Sequence, residues 1–148
     1  NNVDELGRNI FSLFEENAQK RNITYQYQSE VNGSLLPVDK TYMEMIVTNL
    51  LSNAFKFTPD GGAITLSVWK KENSFGFTIK DTGIGMGKEY LPTLFEPFSR
   101  EHNTTIGKVG GTGLGMSVVK RMIDLMGGSI EVKSELGKGS RFVMRLKA

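Results

Sequence analysis

The sequence predicts an α+β domain in which about three helices pack on one face of a mixed, mostly antiparallel sheet of about five strands. Three observations support this two-layer α/β sandwich. Apolar residues recur at helical spacing in three stretches, they alternate with polar residues in several shorter stretches, and turn sequences separate the alternating pairs. Short turns between alternating segments are typical of hairpins, and helices that cover one face of such a sheet form two layers.

The first part of the chain indicates one helix followed by extended segments. Asp4 is a candidate amino-terminal cap, because a carboxylate can accept hydrogen bonds from the free N–H groups of the first turn. One apolar face follows at helical spacing and carries Leu6, Ile10, Leu13 and Phe14. Alternation then predicts a strand over residues 23–27, and Leu36 and Val38 predict a second short extended segment.

The middle of the chain predicts a long helix and then a hairpin. Asp39 is a candidate cap for this helix, and the turn sequence of residues 58–62 ends it. Its single apolar face carries Met43, Ile46, Val47, Leu50, Leu51 and Ala54. Apolar residues then alternate over 64–68 and 75–79, and the polar residues between these stretches indicate a hairpin turn.

The last part predicts a helix over residues 114–126, with Gly127 suited to its carboxyl-terminal cap. A second hairpin follows, with its turn at residues 137–139. Residues 83–113 read as irregular, with one helical turn near residues 88–95.

Composition limits the possible functions. A chain of 148 residues fits a single domain over residues 1–148, and 39% hydrophobic with 23% charged residues is typical of a folded protein. The net charge of +2 is too small to predict nucleic-acid binding, and the absence of cysteine excludes disulfides and thiolate metal sites. No apolar run reaches the roughly 18 residues that a membrane span needs. The absence of cysteine fits a reducing compartment. We expect a cytoplasmic domain without direct membrane contact, either in a protein that is wholly cytoplasmic or as the cytoplasmic part of a membrane-bound one.

Three polar residues share one stripe of the central helix. Asn49, Asn53 and Lys56 are separated by one helical turn each and border the apolar face. Asparagine is unfavourable inside a helix unless its amide is used, and an amide oxygen suits magnesium. Lys56 can reach a phosphate as a point charge. A solvated helix edge is the alternative explanation for this stripe.

Two further segments supply the chemistry of a nucleotide pocket. Asp81 ends a predicted strand and is followed by Gly83 and Gly85, so a carboxylate that can accept a hydrogen bond from an exocyclic amine lies beside unhindered backbone. The glycine-rich residues 110–115 run directly into a helix, where free N–H groups can bind an anion. Between these segments, Arg100 follows two phenylalanines and can meet a phosphate or a carboxylate.

Together these segments resemble the catalytic and ATP-binding domain of bacterial sensor histidine kinases, a family grouped with DNA gyrase, the Hsp90 chaperones and the MutL proteins. Residues 49–58 resemble the N box, residues 81–86 the first glycine box, residues 95–100 the F box and residues 111–115 the second glycine box. Residues 137–142 resemble the closing glycine-box hairpin, with Ser140 where threonine is commoner.

The resemblance implies a role for each matching residue. It makes ATP and Mg²⁺ the cofactors, with Asn53 as the magnesium ligand, Asn49 supporting the site and Lys56 contacting a phosphate. Asp81 would accept a hydrogen bond from the adenine amino group. The remaining nucleotide contacts would come from Gly83, Gly85, Arg100, Gly111, Thr112, Gly113, Leu114 and Gly115.

The resemblance also implies a reaction and its partners. Superfamily members that hydrolyse ATP typically carry a glutamate where this chain has Asn49, so phosphoryl transfer to a protein is favoured. The acceptor would be a histidine on a separate dimerisation domain, because His102 lies in the expected lid and the phosphoacceptor domain is absent. We expect a homodimeric full-length protein, a downstream receiver domain of a response regulator, and little activity of this domain alone. An ATP-hydrolysing member and a catalytically silent nucleotide-binding module are the alternatives.

Overall fold

The computed structural model describes residues 2–31, 36, 38–87 and 114–147. In chain order its elements are α1 (Val3–Ser12), α2 (Glu15–Lys20), β1 (Thr24–Ser29), α3 (Lys40–Phe57), β2 (Ala63–Lys71), β3 (Ser74–Asp81), α4 (Leu114–Leu125), β4 (Ser129–Glu135) and β5 (Gly139–Lys147). No helix of these ranges is long and apolar enough to cross a membrane.

The five strands form one mixed sheet, as predicted. The strand order is β1-β2-β3-β5-β4, and only β1 with β2 is parallel, while the other three pairings are antiparallel. Alternate residues of the inner strands are fully buried against α1, α3 and α4, as Leu66 of β2 and Phe77 of β3 show. The opposite face of the sheet carries mostly polar and charged residues, with Trp69 and Val143 as partly buried exceptions. The predicted two-layer α+β sandwich is therefore confirmed.

The amino-terminal helix differs from the prediction at both ends. Asn2, not Asp4, caps α1, since its Oδ1 accepts a hydrogen bond from Glu5 N at 3.0 Å. Asp4 lies inside the first turn, where its carboxylate accepts from the Tyr27 hydroxyl at 2.8 Å. The helix stops at Ser12 and resumes as α2, which leaves Leu13 69% exposed rather than on the buried face. The described residues consequently form four helices instead of about three.

Leu36 and Val38 belong to no strand of the described residues, and residues 32–35 and 37 are not described, so the short extended segment stays a prediction. Leu36 is only 6% exposed, and its apolar character reflects burial in the core. The helical turn predicted near residues 88–95 lies outside the part of the chain that the structure describes.

The central helix and the hairpins are confirmed. Asp39 caps α3 by accepting from Tyr42 N at 2.9 Å, and the whole predicted apolar face of this helix is buried. β2 and β3 form the first hairpin, and β4 and β5 form the second. Gly127 adopts a φ of +74° directly after α4, which is the left-handed conformation that a helix-ending glycine provides.

Arg21 holds the carboxyl-terminal end of α3. Its guanidinium donates to the carbonyl oxygen of Phe55 at 2.5 Å and to that of Thr58. Its Nε also pairs with Asp60 at 2.7 Å. The last carbonyls of a helix lack intrahelical donors and carry partial negative charge, so the half-buried guanidinium of Arg21 supplies both donors and positive charge. Arg21 thus joins the segment after α2 to the end of the longest helix.

Replacing Arg21 with methionine should lower the free energy of unfolding by about 2–4 kcal/mol, because two charge-assisted hydrogen bonds to carbonyls are lost. Asp60→Asn is the matched control: Asp60 is 74% exposed, and breaking that ion pair should lower stability by less than about 1 kcal/mol. Urea unfolding measures both values. Equal losses in the two variants would show that the carbonyl contacts contribute nothing beyond the surface pair.

Candidate functional site

The polar stripe of α3 is present, and its three side chains differ in their partners. Asn49 is half-buried and donates from Nδ2 to the Met45 carbonyl of its own helix at 2.8 Å. Asn53, also half-buried, points Nδ2 at the Met116 sulfur at 3.1 Å. Lys56 is exposed and forms no ion pair with a described residue.

The contact between Asn53 and Met116 ties α3 to the first turns of α4. Met116 is 5% exposed, so the asparagine amide is oriented by a buried neighbour. With Nδ2 directed at sulfur, Oδ1 has no hydrogen-bond partner among the residues that the structure describes. A neutral oxygen held in one orientation on a half-buried helix stripe is a suitable ligand for a hard cation.

Asp81 is a buried carboxylate at the end of β3. It is 6% exposed, and its Oδ1 accepts from Gly83 N at 2.8 Å. Burial raises the pKa of Asp81 above its ordinary value, although backbone hydrogen bonds from Gly83 and Ser140 act in the opposite direction. Among the described residues, no lysine, arginine or histidine forms an ion pair with Asp81. Only these N–H groups therefore stabilise its ionised form. Such a group is available to a ligand that donates a hydrogen bond.

The loop after Asp81 is anchored to α3 on one side and to the β4–β5 hairpin on the other. Ile84 N donates to the Phe57 carbonyl at the end of α3 at 3.1 Å. On the other side, Gly137 N donates to the Ile84 carbonyl at 2.8 Å, and Met86 N donates to Ser134 Oγ at 2.8 Å. These bonds join the segments that carry Asp81 and the polar stripe.

Glycine is required at two positions in this loop because of backbone contacts. A Cβ at Gly83 would lie 2.5 Å from the Phe57 carbonyl oxygen. Gly85 has a φ of +72°, and a Cβ there would lie 2.0 Å from the Glu135 carbonyl oxygen. Within the described residues, these glycines therefore allow close approach of the loop to the protein's own backbone.

Ser134 and Ser140 support the site from the β4–β5 hairpin. The family boxes include Ser140, but the sequence assigned no contact to either serine. Their hydroxyl oxygens lie 2.7 Å apart across the β4–β5 pair, and Ser134 also donates to the Gly139 carbonyl at 3.0 Å. Arg21 and Met116 were missed as well. Arg21, Met116 and the contact of Ser134 with Met86 carry no local sequence signal, because the two partners in each contact are distant in the chain.

Some predicted site residues lie outside the described residues: Arg100, Gly111, Thr112 and Gly113, together with Phe95, Phe98 and His102. Leu114 and Gly115 form the first residues of α4, as expected for a glycine-rich segment that leads into a helix. The structure therefore brings together Asp81, its loop and the α3 stripe, and it leaves the other half of the predicted phosphate site undescribed.

Comparison with known proteins identifies the same family. The family model "Histidine kinase-, DNA gyrase B-, and HSP90-like ATPase" matches residues 38–148. The circadian input-output histidine kinase CikA of Synechocystis sp. is 39% identical over 126 residues, which are 84% of this chain and 16% of that protein. The sensor protein SrrB of Staphylococcus aureus is 37% identical over 125 residues, which are 84% of this chain and 21% of that protein. The chain therefore spans about a fifth or less of the length of these relatives.

Solved structures agree with the sequence comparison. The nucleotide-free catalytic domain of histidine kinase ThkA superposes with a TM-score of 0.86 at 26% identity, covering 99% of this chain and 94% of that one. Full-length ShkA in complex with AMPPNP gives a TM-score of 0.82 at 27% identity, covering 100% of this chain and 30% of that one. The fold, the sequence boxes and the family model therefore agree, and the relatives named here are histidine kinases of two-component signal transduction. The chain belongs to the histidine kinase-, DNA gyrase B- and HSP90-like ATPase family.

Proposed function

We propose that this domain binds Mg-ATP and donates the γ-phosphoryl group to a histidine on a separate dimerisation domain in two-component signalling. One observation carries the proposal: the loop after the buried carboxylate Asp81 is hydrogen-bonded to the end of α3, the helix that bears Asn53 and Lys56. The group that would recognise the base and the groups that would offset phosphate charge therefore lie on two segments that are joined by a backbone hydrogen bond.

The described residues fit a magnesium nucleotide. Asp81 would accept from the adenine amino group, because its carboxylate is buried and already aligned by Gly83 N. Asn53 would offer Oδ1 to magnesium, since its Nδ2 is engaged by Met116. The described residues contain no cluster of three histidine or acidic groups, which suits a magnesium ion that takes one or two protein oxygens and completes its shell with phosphate and water.

The remaining assignments follow the family pattern. Lys56 is exposed on the same helix and would offset phosphate charge, and Asn49 would support the site from one turn earlier. Gly83 and Gly85 would keep the base-binding loop in place. Arg100 and the segment 111–115 would complete the phosphate contacts.

The residue at position 49 favours transfer over hydrolysis. An asparagine amide is not a general base, and that of Asn49 already donates to its own helix. The domain would therefore neutralise charge and position the nucleotide, while the nucleophile comes from another domain. Hydrolysis of ATP by a member of the same superfamily remains the second candidate function, and a silent nucleotide-binding module is the third.

The proposed partners come from the relatives. ThkA has been solved in complex with the response regulator TrrA, with a TM-score of 0.80 to this chain at 26% identity and coverage of 99% of this chain and 40% of that one. We infer that this domain likewise works with a histidine-bearing dimerisation domain of its own protein, in a homodimer, and with a downstream receiver domain. We also infer a cytoplasmic location.

Incubating the domain with radiolabelled ATP, Mg²⁺ and a purified histidine-bearing dimerisation domain should transfer acid-labile phosphate to that acceptor. Asn53→Ala should reduce the transfer rate by at least the roughly 10- to 100-fold seen when a metal site loses a supporting group. Asn9→Ala, an exposed helical asparagine of α1, is the matched control and should retain the full rate. Steady-state release of inorganic phosphate without transfer would favour the hydrolytic candidate, and nucleotide binding without either reaction would favour the silent module.

Asp81→Asn should change stability and affinity in opposite directions. Because folding raises the pKa of Asp81, its ionisation costs more free energy in the folded than in the unfolded protein. The free energy of unfolding therefore falls as pH rises above the ordinary carboxyl range of about 4. The nucleotide-free variant should therefore melt above the wild type at pH 7, and the difference should vanish below about pH 4. Adenine nucleotide should bind about tenfold more weakly, with less preference over guanine, because a charged acceptor is lost. Unchanged affinity and base preference by titration calorimetry would contradict the adenine assignment.

A further inference from the structure

The open face of the sheet, opposite the helices, carries a row of three cations on neighbouring strands. Lys80 of β3 lies directly opposite Arg141 of β5, and Arg141 lies directly opposite Lys133 of β4. All three side chains are exposed. We call Lys80, Arg141 and Lys133 the cation row.

The cation row is unfavourable for the isolated domain. Like charges directly opposite each other on neighbouring strands destabilise a sheet. None of the three forms an ion pair with a described residue, although Glu131 and Glu135 flank Lys133 on the same strand. Of these two acids, Glu135 is paired with Lys138 at 3.5 Å. The row therefore retains positive charge that the described chain does not neutralise.

The surroundings of the row form a polar, shallow surface. A depression of about 280 Å³ lies over the row and is also lined by Ser134, Glu135 and Lys138. A second depression of about 260 Å³ adjoins Arg141 and includes Thr78 and Trp69. Further cations with the same outward register lie at Lys71, Arg145 and Lys147. Cations thus lie at both ends of the β3–β5 part of this face, with Val143 and Glu131 between them.

We propose that this face docks an acidic protein segment, whose carboxylates lie along the cation row. Arg141 at the centre of the row provides a planar fork that suits a carboxylate, and the two flanking lysines provide point charges. A partner that supplied the missing negative charge would relieve the cross-strand repulsion. The proposal concerns the face opposite the α3 stripe, so it does not rest on the proposed function.

The chemistry of the face favours an acidic protein over a membrane or a nucleic acid. The large apolar side chains that are exposed in the described residues lie on helices and turns, not on this face: Leu13, Met45, Val118, Leu125 and Leu136. On this face only Trp69 and Val143 of the described strands are large and apolar, and both are partly buried, so the face lacks the exposed apolar surface that inserts into a bilayer. Trp69 is the one aromatic residue whose register places it on this face, and its ring lies against Gly76 and 5.4 Å from the Arg145 guanidinium. It is not free to stack on a base.

The test uses a fluorescein-labelled peptide of ten glutamates, with binding followed by fluorescence anisotropy in about 10 mM salt, where screening extends to about 30 Å. The variant Lys80→Gln/Lys133→Gln/Arg141→Gln should bind the peptide about tenfold more weakly. It should also melt at the same or a higher temperature, because cross-strand repulsion is removed. A variant that melts at a lower temperature would contradict the repulsion on which the proposal depends.

The matched control removes the same charge from exposed positions on the helices, with Lys20→Gln/Lys40→Gln/Arg121→Gln. It should retain most of the peptide affinity. Equal loss in both triple variants would overturn the proposal, since binding would then follow net charge alone. An oligothymidine or vesicles containing phosphatidylserine that bind through the row more tightly than the peptide would also overturn it, in favour of a nucleic acid or a membrane. If the wild-type domain did not bind the peptide, the proposal would also be overturned.

Discussion

The site depends on one close approach of backbone to backbone, where the end of α3 meets the loop that follows β3. The Phe57 carbonyl oxygen would lie 2.5 Å from a Cβ at Gly83, and it accepts from Ile84 N at 3.1 Å. Only glycine permits this separation. The contact fixes where Asp81 lies relative to the helix that bears Asn53. A larger residue at position 83 would push the loop that carries Asp81 away from the end of α3, even though it touched neither Asp81 nor Asn53.

Contacts from elsewhere in the chain hold both the end of α3 and the loop after β3 in place. Arg21 holds the last carbonyls of α3 from the segment before β1. The hairpin of β4 and β5 holds the loop from the opposite side through Gly137 and Ser134. Asp81 is buried between these supports, and burial without a described cation raises its pKa. The domain therefore contains a carboxylate whose ionised form is unfavourable for folding, a property that is common among residues of functional sites.

Local pattern predicted most of this fold, and contacts between distant segments account for what it missed. Periodicity and the Asp39 cap located α3, and alternation located both hairpins, because these signals lie within a few residues of each other. The same logic failed at Asp4, since Asn2 also satisfies the cap pattern and the choice depends on the contact of Asp4 with Tyr27. Arg21 and Ser134 could not be predicted, because their partners lie tens of residues away. The family boxes assigned Gly83 and Gly85 to close approach of the nucleotide. The described structure adds a second reason for both glycines, which is their contact with the backbone of Phe57 and Glu135.

The central claim is that one rigid unit holds the base at Asp81 and the metal at Asn53. A crystal structure of the domain with AMPPNP and Mn²⁺, with data collected at the manganese edge, tests it most directly. The account predicts one anomalous peak beside Asn53 Oδ1, at about 2 Å as for a magnesium-like ion, and the adenine amino group within hydrogen-bond distance of the Asp81 carboxylate. A peak away from Asn53, or an adenine ring that does not contact Asp81, would contradict it.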